Sequence, residues 1–450
     1  LVLKNSHSQP LNVIYLVAHD LGKEVGVYGS PFETPNVDRF AGKGALFNEA
    51  YCSSPCCSPS RGCAMTGQTA HTNGLAGLAN PGWEWSLPES TLTITDDFNL
   101  HGYETVHAGM QHERQSKKEN RYQKFLDSEG WVESAIDAAT RYLKERSQQT
   151  DPRPFYLNIG TNEVHSGQWE TYKHDRPYSR AEVYGSADPM RMRLPGYLPD
   201  FPEVRKEWAA FHGCVRYWDE QVGRLLDTIE ELGYNENTLV IITTDHGVAT
   251  HRGKGTVYKE GIEIALAMCG PGIEAGSRFD HLIPNIDFLP TILDACGLPV
   301  RQEVEGRSFW PLLKGEPYRP HEHITIERNF HDDFDPMRAI RTPDFMLIEN
   351  FNTDMPHWYL PHEVKSLKPT YQKWFMEMWP EPKDKRPKLE LFDRRQDPQE
   401  MQNRAQDPAY RKTMETLHQK LHEWMDQTQD PILQTTDEEA FKAVLKKRFR

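Results

Sequence analysis

Short apolar, β-branched runs recur along the chain at residues 12–17, 103–108, 155–159 and 239–244, separated by longer stretches of mixed polarity. Two of those stretches, 132–148 and 204–232, space their apolar residues with a helical period, and the second stops at Gly233, where a glycine readily takes the left-handed conformation that ends a helix. Strands alternating with helices predict an α/β fold built on a large, mostly parallel sheet. The pattern changes at Lys314-Gly315-Glu316-Pro317-Tyr318-Arg319-Pro320, which reads as a connector. Beyond it, residues 324–327, 338–341 and 346–350 predict a smaller antiparallel sheet, and 407–427 a closing amphipathic helix. The expected division is therefore a first domain over 1–320 and a C-terminal α+β domain over 321–450. Residues 435–450 are charged and helix-prone, and are expected to lie at the periphery with their basic end solvated.

In open α/β sheets ligands bind beyond the carboxyl ends of the strands, and this chain puts its unusual residues there. His19 and Asp20 follow the first run, His112 the second, Asn162, Glu163 and His165 the third, and Asp245 and His246 the fourth. Asp20 and Asp245 are hard oxygen ligands on different strands, so a divalent cation between them would relieve their repulsion. A net charge of −14 argues against general nucleic-acid binding, and no apolar run reaches the roughly 20 residues of a membrane span. Seven cysteines, four of them within 52–63, are odd in number and clustered, unlike a disulfide framework, which leaves the redox compartment open. The first residue is Leu1, compatible with a removed leader, and no N-x-S/T sequon occurs. Together these favour a bacterial periplasmic or secreted protein.

One segment concentrates the chemistry. Cys57-Ser58-Pro59-Ser60-Arg61, continued to Thr66-Gly67, sets a thiol at a helix start with a guanidinium one turn on, a natural seat for an anion. The run resembles the C-x-P-S-R signature of the type I sulfatases, members of the alkaline phosphatase superfamily. The resemblance implies that Cys57 is oxidised by a formylglycine-generating enzyme to formylglycine (3-oxoalanine), whose hydrate attacks sulfur. Cys56 lacks the required spacing to the proline. Similarity continues through Asn12 to Gly22, Thr34 to Asp38, Thr244 to Gly247 and Gly253-Lys254-Gly255-Thr256. The tail around Leu389 to Asp393, Asp397-Pro398 and Asp430-Pro431 is similar to that of the heparan N-sulfatases, or sulfamidases.

The resemblance assigns Cys57, Arg61, His112, His165 and Lys254 to catalysis. Arg61 and Lys254 would hold sulfate or hydrate oxygens, His165 would protonate the leaving group, and His112 would act as the base that regenerates the aldehyde. It assigns His19, Asp20, Asp245, His246 and residue 57 to a metal. The resemblance implies Ca²⁺; His19 departs from the family's aspartate, which keeps Mn²⁺ and Zn²⁺ open beside it and leaves His19 open as either a ligand or an imidazole supporting one. Met110 stands where the family has a lysine, with His107 and Gln111 the nearest residues to take its place. The expected activity is hydrolysis of sulfate esters or sulfamates on a sulfated saccharide, with Trp169, His331, Arg338 and Trp358 available to contact the sugar. Two other readings stand beside it: a phosphodiesterase or phosphonate hydrolase of the same superfamily, and a non-catalytic carbohydrate-binding relative. An oligomer is compatible with either.

Overall fold

A computed structural model of the chain describes residues 10–126, 130–150, 152–165, 187–355 and 385–449. Its centre is an eight-stranded sheet of β1 (Asn12–Ala18), β2 (Ala45–Phe47), β4 (Glu104–Gly109), β5 (Lys124–Phe125), β6 (Phe155–Gly160), β7 (Thr238–Thr244), β8 (Leu266–Cys269) and β9 (Ser277–Phe279). The spatial order is β5-β4-β6-β1-β7-β8-β2-β9. The five strands from β5 to β7 run parallel, while β8 is antiparallel to both its neighbours. A small parallel pair joins β3 (Ala50–Tyr51) to β10 (Ile283–Pro284).

Every residue of β1, β4, β6 and β7 is buried, as a parallel sheet covered on both faces requires. One face packs on the helices Val132–Ser147 and Pro202–Glu231 through Ile136, Leu143, Phe211, Val215 and Trp218. The other packs on Met65, Phe98, Phe288 and Leu289. Each such aliphatic or aromatic side chain contributes roughly 1.5–3 kcal/mol by leaving water. Register then fixes the site. Val17 pairs with Gly160, Gly109 with Gly160, and Ala18 with Thr244, so four strands end at one level of one sheet edge.

The second sheet is antiparallel, with β11 (Ile324–Phe330), β12 (Phe334–Arg341), β13 (Phe345–Asn350) and β14 (Leu389–Asp393) in sequential order. Successive residues on its strands point to opposite cores. Ile326, Ala339, Met346 and Ile348 face the central-sheet side, whereas Ile340, Leu347 and Leu391 face the helices Arg411–Gln427 and Glu438–Lys447. The pattern analysis read Leu389–Asp393 only as a tail motif; it is a full edge strand, paired with β13 from Phe345 to Glu349.

The expectation that 435–450 is peripheral is corrected. The helix Glu438–Lys447 buries Phe441 and Leu445 against Leu75, Trp85 and Phe330. Lys442 lies 3.0 Å from Glu84, and Lys446 pairs with the same carboxylate. The reason is the i, i+4 spacing of Phe441 and Leu445, which makes an apolar stripe and finds its partner in the 75–87 loop. No disulfide forms among the described residues, and none of their helices is long and apolar enough to cross a membrane.

Candidate active site

The four strand ends deliver their polar residues to one buried pocket. His19 and Asp20 leave β1, Asp245 and His246 leave β7, and all four are at most 2% exposed. Asp20 is held at φ 56°, a left-handed conformation that costs a non-glycine residue on the order of 1 kcal/mol or more. Its N–H donates to Asp245 Oδ1 at 3.0 Å, which ties the two strand ends together and directs the Asp20 carboxylate into the pocket. Asp245 is braced from behind as well. Ser60 Oγ donates to its carbonyl at 2.5 Å, and Asn285 Nδ2 donates to Ser60 Oγ at 3.0 Å.

Around the two carboxylates the donors are dense. His19 Nδ1 lies 2.6 Å from Asp20 Oδ1 and 3.5 Å from Asp245 Oδ2. His246 Nε2 lies 3.3 Å from Asp20 Oδ1. Arg61 Nε donates to Asp245 Oδ2 at 3.2 Å, and Lys254 Nζ to Asp20 Oδ2 at 3.0 Å. Burial alone would push both carboxyls up. For Asp20 the charges of His165, Lys254 and His19 outweigh it and hold the group well below the usual range. For Asp245, His246, His19 and Arg61 do the same, and it falls to about 2. Both are anionic at any working pH.

Cys57 opens the helix Cys57–Thr66, which is buried along its whole length and closed by Gly67 at φ 69°. Its Sγ lies 3.3 Å from His246 Nε2. Ligand atoms of His19, Asp20, Cys57 and His246 fall within 4.8 Å of one another. A cluster of imidazole nitrogen and carboxylate oxygen fits a divalent cation. The approach of Arg61 depends on Gly160: a Cβ there would stand 1.9 Å from Met110 O and 3.3 Å from Arg61 Nη1. Arg61 Nη2 is buried and has no hydrogen-bond partner among the described residues, an orphaned donor beside Cys57 of the kind an anion satisfies.

His165 and Lys254 come together as well. His165 Nε2 accepts from Lys254 Nζ at 3.0 Å and lies 3.8 Å from Asp20 Oδ2; its ring meets His19 edge-on at 4.5 Å between centroids. His112 sits farther out, 6.2 Å from the His19 ring. Burial, with the positive charge of His19 and Arg61 added, holds its pKa well below the usual histidine value. Its Nε2 lies 2.7 Å from Asn80 Oδ1, which fixes the proton on Nε2, and Nδ1 is buried without a partner among the described residues.

Several expected residues lie elsewhere. His107 points back to Gly109 O at 3.1 Å and packs on Tyr122, while Gln111 braces a turn to Arg114, so neither supplies the charge missing at Met110. Arg338 is fully buried and bonded to Asp430 and Asn329, which removes it from contact with a sugar. His331 occupies the β11–β12 turn beside Asp332. Trp169 and Trp358 lie outside the described residues. Asn80, Ser60 and Asn285 were not singled out from the sequence. The signal for Asn80 is a loop, Leu75-Ala76-Gly77-Leu78-Ala79-Asn80, that is too apolar to be exposed.

A sulfatase family model matches residues 11–298, and a model of the N-sulphoglucosamine sulphohydrolase C-terminal region matches 246–378. The chain belongs to the sulfatase family. It is 27% identical to human N-sulphoglucosamine sulphohydrolase over 96% of this chain and 93% of that protein. It is 25% identical to a Delta 4,5-hexuronate-2-O-sulfatase of Bacteroides thetaiotaomicron, covering 94% and 90%. Among solved structures, a 2-O GAG sulfatase superposes with TM-score 0.74 at 22% identity over 96% of each chain. An enzyme in complex with its substrate D-glucosamine-2-N,6-O-disulfate superposes with TM-score 0.69 at 19% identity, covering 94% of this chain and 99% of that one.

Proposed function

We propose that the protein is a metal-dependent hydrolase of sulfate esters or sulfamates on a sulfated saccharide, with residue 57 matured to formylglycine by a dedicated oxidising enzyme. The observation that carries this reading is the convergence of Cys57, Arg61, Asp20, Asp245 and His246 at one sheet edge. Relatives named for sulfated glycans, including the human sulphoglucosamine enzyme, support the substrate class.

Asp20, Asp245, His246 and His19 would hold the divalent cation, which supplies Lewis-acid neutralisation of charge on the sulfate oxygens. The hydrated aldehyde at residue 57 supplies the attacking oxygen. Arg61 directs Nη2 toward an oxygen beside residue 57, and its link to Asp245 keeps the guanidinium plane in place. His165, in its protonated form, is the acid that gives a proton to the departing oxygen or nitrogen, while Lys254 keeps its own protons and stays bound to Asp20. His112, neutral and fixed by Asn80, presents Nδ1 as the base that takes the proton when the aldehyde re-forms.

The test is release of inorganic sulfate from defined N- and O-sulfated saccharides by matured enzyme. Faster hydrolysis of phosphodiesters than of every sulfated sugar tried would move the assignment to the phosphodiesterase reading.

A further inference from the structure

We propose a second divalent-metal site, of the zinc class, formed by Glu349, His418 and His422 at the seam between the second sheet and its covering helix. His418 and His422 stand four residues apart on the helix Arg411–Gln427, so their imidazoles project from the same side, one turn apart. Their Nε2 atoms both address one carboxylate oxygen: Glu349 Oε2 lies 3.2 Å from His418 and 2.7 Å from His422. The rings lie side by side with centroids 4.4 Å apart, and the ligand atoms all fall within 4.8 Å of one another.

Ligands bound to one tetrahedral zinc stand about 3.3 Å apart, given metal–ligand distances of about 2.0–2.1 Å. The two histidine–carboxylate separations, 3.2 and 2.7 Å, are already near that value. Two imidazoles and one carboxylate are a borderline-soft set suited to Zn²⁺ and less so to Ca²⁺. The carboxylate is rigid: Glu349 is 2% exposed, on β13 between two hydrogen-bonded neighbours. Lys388 Nζ approaches its other oxygen, Oε1, at 3.6 Å, which leaves Oε2 as the single ligand atom. The histidine side chains are about one-third exposed, 34% and 35%, so a cation has a route in and a solvent molecule can complete the tetrahedron. The adjoining stripe of the helix, Leu417, Leu421 and Met425, already packs on the same sheet, so the ion would clamp helix to sheet without moving either.

This inference is independent of the Cys57 pocket. Chelator-stripped protein is titrated with Zn²⁺ against a chromophoric competitor, comparing the parent, His418→Ala/His422→Ala and Asp245→Ala. Expected is one zinc equivalent that survives in Asp245→Ala and is weakened at least about tenfold in the double variant, with sulfate release at saturating Ca²⁺ or Mn²⁺ unchanged there. Zinc should also raise the Tm of the parent and not that of the double variant. The double variant takes two hydrogen-bond partners from the buried Glu349 carboxylate, so its zinc-free Tm should fall by a few degrees, and a single cooperative melt shows that it folds. Equal zinc stoichiometry and affinity in the parent and double variant, or no zinc bound outside the Cys57 pocket, overturns the proposal.

Discussion

Lys254 Nζ lies 3.0 Å from Asp20 Oδ2, and neither side chain is reached by solvent. A lysine in a glycine-rich loop is ordinarily solvated; here the Gly253 and Gly255 backbone folds it inward, with Lys254 N bonded to Val248 O at 2.8 Å and Gly255 N to Pro55 O at 2.7 Å. Lys254→Met removes the ammonium from a buried carboxylate, and such losses cost about 3–5 kcal/mol. Part of that cost is offset because His19 remains 2.6 Å from the same carboxyl. A lowered Tm together with a fall in kcat/KM of at least about 100-fold is expected; His165→Ala should lower kcat with little change in Tm.

Cys57 and Cys56 are both buried, yet only Cys57 has its sulfur at His246. Peptide mass spectrometry of protein from a maturing host should show a loss of about 18 mass units at residue 57, the difference between a thiol and an aldehyde. Cys57→Ala should be inactive and Cys56→Ala largely active. The opposite pattern would refute the assignment.

His19 holds both carboxylates of the pocket, so its replacement reports on the metal. His19→Asp makes the donor set harder, and the metal preference of sulfate release should move toward Ca²⁺ over Mn²⁺ and Zn²⁺. Asp245→Ala should lose metal-dependent turnover altogether. Unaltered preference in the first variant would remove His19 from the ligand set.

His112 is held below the ordinary histidine value of about 6.5. As a base it is therefore competent throughout the neutral range, and the acid limb of kcat/KM that it sets should lie below that pH. Asn80→Ala releases Nε2, lets the other tautomer form and should lower kcat about 10- to 100-fold, without the change in Tm expected of Lys254→Met.

Stability in acid should track the buried cluster of Arg338, Asp430, His71 and Glu327. Burial would raise the Asp430 carboxyl, but Arg338 and His71 pull it down to about 2. A depressed carboxylate stabilises the fold above its unfolded value, near 4, and loses that contribution as pH falls toward the folded one. The term is about 2 kcal/mol. His71, also buried, is raised by Glu327 and Asp430, so its contribution is present below the unfolded histidine value and fades as pH rises through the higher folded one. Urea midpoints of the parent should fall between pH 4 and 2, and those of Asp430→Asn much less.

The strand ends were legible because the parallel sheet leaves a simple code. β1, β6 and β7 are mainly apolar runs and β4 a shorter, mixed one, and a polar residue that follows each emerges at the shared edge. That logic finds Asp20, His112, His165 and Asp245 without coordinates. It fails for groups whose role depends on distant packing. Asn80 reaches His112 across 32 positions, and Ser60 reaches the Asp245 carbonyl across 185, with no local period to announce either. The strand Leu389–Asp393 was overlooked because its Leu, Glu, Leu, Phe and Asp mix both faces of a sheet lying between two cores.

The helix Glu438–Lys447 has a consequence for timing. It packs on the same loop that carries Asn80, so that part of the pocket wall gains this packing partner only after the distal stretch has been synthesised. Translation from residue 57 to this helix takes on the order of tens of seconds at about 5–20 residues per second. Residue 57 is 1% exposed once folding is complete, out of reach of any enzyme that would oxidise it. If residue 57 is oxidised as proposed, the modification would therefore have to precede completion of the fold, before the helix Glu438–Lys447 packs on the loop that carries Asn80.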